Sequence, residues 1–124
     1  MKILLDTHSF LWFISGDSNL SQAGRSIIED ETSERFLSVA SLWEMAIKIS
    51  IGKLKLTSPF QDLIPYQLDK NGIKLLNIDI DHTAQLINIP FHHRDPFDRM
   101  IIAQALAEEL PIVSADESFD AYSI

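Results

Sequence analysis

The segment DPFDRMIIAQALAEELPIVSAD, residues 95–116, decides the fold. Asp95 stands where a helix cap would stand, Pro96 takes the first helical position, and Asp98 puts a negative charge in a first turn that the helix dipole favours. An apolar face, RMIIAQAL, follows, and Ile112 to Ser114 reads as a short final strand leading to Asp116. A helix that delivers the chain straight into a strand is half of a crossover unit.

Working outward, the same alternation recurs. Met1 to Leu5 reads as a buried strand with a polar turn at Asp6, and Ser21 to Glu31 as an amphipathic helix capped by Ser21. Arg35 to Val39 is a second strand. A helix then opens at Ser41, with Leu42, Met45, Ala46 and Ile49 at three- and four-residue spacing and Gly52 as its stop. Pro59 to Lys70 predicts a helix that Pro65 would kink or split, Ile73 to Ile78 a third strand, and Asp81 to Ile89 a short helix capped by Asp81. Pro90 to Arg94 is a loop with two adjacent histidines, His92 and His93. Strands alternating with helices imply a parallel sheet covered on both faces, an α/β fold. The chain of 124 residues suits one domain, 1–124, without repeats or linkers.

Composition narrows the chemistry. The absence of cysteine excludes thiolate nucleophiles and sulfur-ligated zinc and fits a reducing compartment. No apolar run is long enough to span a membrane and no export signal is read at MKILLDTHSF, so a soluble, cytoplasmic protein is expected. The net charge of −8 opposes broad attraction to nucleic acid. A nuclease could tolerate it if the negative charge were concentrated at a cation site with basic residues nearby. There is no G-x-S-x-G elbow and no Gly-rich phosphate loop.

Ligands of open α/β sheets bind beyond the carboxyl ends of the strands. Asp6 and Asp116 follow strands, while Glu44 and Asp98 fall near the starts of the two clearest helices, so four acids distant in sequence are expected at one sheet edge. Crowded carboxylates need a cation, and oxygen-only ligands favour Mg²⁺ or Mn²⁺. Each acid also has an ordinary explanation. Ser41-Leu-Trp-Glu44 matches a capping box, Asp95 and Asp98 suit a helix start, and Asp6 and Asp116 suit turns. Thr7, Ser114, Asp95, Lys48, Arg94 and Arg99 are candidates for supporting the site or contacting RNA, with Lys53 and Lys55 nearby. Trp12, Phe13, Trp43 and Met45 could face a partner or the core.

These residues resemble the PIN domain family and, within it, the VapC-type toxins of bacterial toxin–antitoxin pairs. The matching stretches are LLDTH at 4–8, ASLWEMAIKISIGKL at 40–54, HHRDPFDRMIIAQAL at 92–106 and IVSADESF at 112–119. The resemblance implies a three-layer α/β/α sandwich and a Mg²⁺- or Mn²⁺-dependent endoribonuclease acting on single-stranded or structured RNA. It also implies a small cognate antitoxin and a homodimer. The family's four acids fall on Asp6, Glu44, Asp98 and Asp116, which are expected to be both catalytic and metal-binding. The fourth motif departs from the family: in Ser114-Ala115-Asp116 the basic middle position is lost, which bears on a phosphate contact more than on the metal. Two rivals stand beside this reading. A catalytically silent PIN-like protein-binding module would act through its partner surface. A phosphoryl-transfer domain would want another acid beside Asp6, where Thr7 and His8 stand.

Overall fold

The computed structural model describes residues 1–90 and 95–114. The elements run β1 (Lys2–Leu5), α1 (Thr7–Ser15), α2 (Gln22–Glu29), β2 (Glu34–Ser38), α3 (Val39–Ser50), α4 (Phe60–Lys70), β3 (Ile73–Leu76), α5 (Ile80–Ile87), α6 (Pro96–Glu108) and β4 (Ile112–Val113). All the strand pairs are parallel, in the order β3-β2-β1-β4.

Successive residues of a strand face opposite sides of the sheet, and this sorts the core into two layers. Ile3 and Leu5 of β1 join Leu37 of β2 and Ile73 of β3 beneath Phe10, Ile28, Met45 and Ile64, which belong to α1 through α4. Leu4, between them, points the other way and packs with Ile101, Ile102, Ala103 and Ala105 of α6. Each fully buried Leu or Ile contributes about 2 kcal/mol through area removed from water. The chain is thus the α/β/α sandwich expected, with β1 buried on both faces.

Several local expectations are corrected. Asp6 opens a helix rather than a turn: it caps α1, and its Oδ1 accepts from the Ser9 N–H at 2.7 Å. The third helix begins at Val39 with Ser38 as cap, so Ser41 and Glu44 lie inside it and form no capping box. Ser38 wins because its Oγ accepts from the Ala40 N–H, which leaves the Ser41 hydroxyl to tertiary contacts. Asp79, not Asp81, caps α5: its side chain accepts from the His82 N–H while the His82 ring accepts from the Asp79 N–H. Pro65 sits within α4, which runs unbroken from Phe60 to Lys70.

The strand order places the site. The chain steps outward from β1 to β2 to β3, then returns through α6 to the other side of β1. The connections leaving β1 and entering β4 therefore cover opposite faces, and a crevice opens where those two strands end. Asp6 is the first residue after β1, and Ser114 the first after β4.

Candidate active site

At that crevice the Ser114 hydroxyl donates to Asp6 Oδ2 at 2.7 Å, a bond between residues 108 positions apart. Asp6 is 3% exposed. Its other oxygen holds the first turn of α1, so one buried carboxylate fixes a helix start and meets the exit of β4.

Thr7, the next residue, extends the cluster to α3. Its Oγ1 lies 2.7 Å from Glu44 Oε1 and 2.8 Å from Ser41 Oγ. A hydroxyl has one proton and a carboxylate can only accept, so Thr7 donates to Glu44 and takes a proton from Ser41. Glu44 is 2% exposed, and its second oxygen, Oε2, is 2.6 Å from the Lys48 ammonium one turn along the same helix. Burial makes both partners necessary, because an unpaired charge out of water is costly.

Asp98 stands on α6. It is half-buried in the first turn, where its N–H, with that of Phe97, donates to Asp95 Oδ1. The Phe97 ring meets Trp43 edge-on with centroids 5.2 Å apart, which packs the start of α6 beside the turn of α3 that carries Glu44. Asp95 is thus the cap, as its position predicts.

Of the residues singled out in the sequence, one hydrogen bond joins Ser114 to Asp6, a separate set joins Thr7, Glu44 and Lys48, and Asp98 lies on the adjoining helix. Arg99 is buried, and its guanidinium donates to the Ile89 and Pro90 carbonyl oxygens. Asp116, Arg94, His92 and His93 lie outside the described residues. The sequence offers Ser41 as a cap, whereas in the structure its hydroxyl is Thr7's partner. The Glu44–Lys48 pair could have been found from its four-residue spacing on a helix.

A groove of about 760 Å³ opens from Thr7 between α1 and the stretch that follows α3. His8 and Trp12, whose rings stand 5.7 Å apart, line one side, and Lys48, Lys53 and Lys55 another. These lysines gather positive charge beside the acids in a chain that is negative as a whole.

A second set of metal-capable side chains, Asp79, His82 and Glu108, is separate from this site. Glu108 lies ten residues beyond Asp98 on α6, about 15 Å at the rise of a helix. Its chemistry is structural. His82 is 1% exposed; Nδ1 accepts from the Asp79 N–H, so Nε2 carries the proton that it gives to Glu108 Oε1 at 3.1 Å. Both ring nitrogens are occupied: Nδ1 holds the start of α5, and Nε2 ties α5 to the end of α6.

Comparison with known proteins bears on the family and the fold. The sequence model described as PIN domain matches residues 3–124. A curated protein, Ribonuclease VapC16 of Mycobacterium tuberculosis (strain ATCC 25618 / H37Rv), is 37% identical over 60 residues, 48% of this chain and 43% of that protein. The match thus spans less than half of that relative. Among solved structures, the crystal structure of VapBC2 from Rickettsia felis bound to a DNA fragment from their promoter contains a chain that superposes with a TM-score of 0.70. That likeness covers 99% of this chain and 94% of the other at 14% identity, and speaks to the fold.

Proposed function

The chain belongs to the PIN domain family, and from that premise we propose that it is a metal-dependent endoribonuclease, the toxin of a toxin–antitoxin pair. The observation that carries the reading is that Asp6, bonded to Ser114 where β1 and β4 end, is followed directly by Thr7, whose hydroxyl bonds Glu44. The ribonuclease and toxin–antitoxin parts rest on the names of the two relatives, carried over to a chain of the same family and fold.

The donor set fits a hard divalent cation. Carboxylate oxygens alone are presented, and an ionised carboxylate has about four lone-pair sites, of which each side chain here uses two with protein donors. Asp6, Glu44, Asp98 and Asp116 would hold Mg²⁺ or Mn²⁺. When bound, the ion supplies Lewis acidity and neutralises charge growing on a phosphoryl oxygen. The chain's own residues prepare the place. The α1 cap fixes Asp6, Thr7 orients Glu44, and Ser114 keeps the end of β4 against Asp6. The groove beside Thr7, with aromatic and basic walls, suits a single strand of RNA better than a stiff duplex. A small antitoxin protein as inhibitor, a homodimer, a cytoplasmic site of action and a single nuclease domain over 1–124 complete the proposal. Among the described residues no helix is long and apolar enough to cross a membrane.

The rival is a catalytically silent binding module, and one observation favours it: both oxygens of Glu44 are already satisfied by protein donors. Asp6→Asn separates the two. Cleavage of a single-stranded RNA by the purified chain with Mg²⁺ or Mn²⁺ should fall about 10²-fold or more, the scale of losing an electrostatic stabiliser. Growth arrest on expression should fall with it. Arrest that persists in a folded Asp6→Asn protein would establish the binding module instead.

A further inference from the structure

We infer that Lys48 is a built-in counter-ion that a divalent cation must displace from Glu44, and so sets the affinity of the site for metal; this rests on the metal-dependent reading above. Four observations lead there. Glu44 is almost wholly buried, yet carries a charge that needs a partner. The 2.6 Å contact of Lys48 Nζ with Oε2 is the short, charge-assisted kind. The other oxygen is held by Thr7, a neutral donor, so the ammonium is the cation among Glu44's hydrogen-bond partners. Finally, Lys48 is 35% exposed and lines the groove, so its head can leave Glu44 for water without crossing the core.

The consequence is competition. A divalent cation on the remaining lone pair of Oε2 would stand at contact distance from the ammonium, and repulsion between charges so close, shielded by little water, drives Lys48 off. Lys48 therefore keeps Glu44 satisfied and oriented before metal enters, and weakens metal binding by the strength of the pair it must give up. Thr7 holds the carboxylate in place while its second oxygen changes partner.

Calorimetric titration with Mn²⁺ on the whole chain tests this, comparing wild type with Lys48→Met, Lys48→Gln, Lys48→Arg and Lys53→Met. Lys48→Met and Lys48→Gln should bind Mn²⁺ about tenfold more tightly, the lower end of what neighbours of metal ligands exert. Both should also melt at lower temperature without metal and recover more on adding it. Lys48→Arg keeps the charge and should stay near wild type. Lys53→Met removes the same charge from the groove wall without touching Glu44, and should change affinity much less. Unchanged or weaker Mn²⁺ binding in the folded Lys48→Met and Lys48→Gln proteins would overturn the exchange while leaving the metal site standing. Equal tightening in Lys53→Met would reduce it to general charge. Wild type that binds no Mn²⁺ would sink the metal reading and this inference together.

Discussion

Thr7 has a single proton and two oxygen neighbours, and the way it shares them decides how the site is held. Thr7→Val keeps the shape and removes the hydroxyl, leaving Glu44 Oε1 buried without its donor. The expected cost is about 1–3 kcal/mol, the penalty for an unsatisfied buried acceptor, read by urea unfolding. Thr7→Ser should recover most of it. Asp30 offers a contrast away from the site. The Thr32 side-chain hydroxyl, first, and then the Thr32 backbone N–H hold its carboxyl below the usual range. A depressed folded-state value means that the stabilisation is present above the unfolded pKa and disappears as pH falls through the folded one. Asp30 should therefore titrate at lower pH than an ordinary aspartate by NMR, and Thr32→Ala should return it toward the usual value.

At the level of elements, the sequence was readable wherever one signal dominated. The α6 boundaries follow from Asp95 and Pro96, and α2 from Ser21, because a cap and an apolar period agree there. Helix α1 was missed since Thr7, His8 and Ser9 give it a polar, partly β-branched start that resembles a turn, and only the Asp6–Ser9 bond shows otherwise. The same competition between nearby serines misplaced the start of α3: Ser38 and Ser41 are both good caps, and tertiary packing chose the first. For the candidate site, Asp6, Glu44 and Asp98 were recognisable as acids near sheet edges. The bond linking Ser41 to Thr7 depends on how two helices meet, and neighbouring residues in sequence do not determine that. One element also carries strain. Glu109 closes α6 in the left-handed region, at φ 56°. Glycine is at ease there, so Glu109→Gly should stabilise the protein by up to about 1 kcal/mol in thermal unfolding.

For the molecule as a whole, the net charge of −8 and the proposed RNA substrate are reconciled by where charges sit. Lys48, Lys53 and Lys55 share one groove, and the acids next to it are candidates to be neutralised by metal. RNA affinity should then depend on the divalent ion. Fluorescence anisotropy with a 2′-O-methyl oligonucleotide should show binding with Mn²⁺ that weakens about tenfold or more with EDTA, since each phosphate neutralised contributes to attraction. Equal binding in both conditions would detach RNA recognition from the acids.

The Ser114–Asp6 bond has an implication for folding. Its two ends lie 108 positions apart and meet only when β4 pairs with β1. Closing so long a loop is entropically costly, so β1 and the helices packed on it can dock while Asp6 still lacks its second donor. The crevice is therefore assembled late in folding, after the layers that surround it.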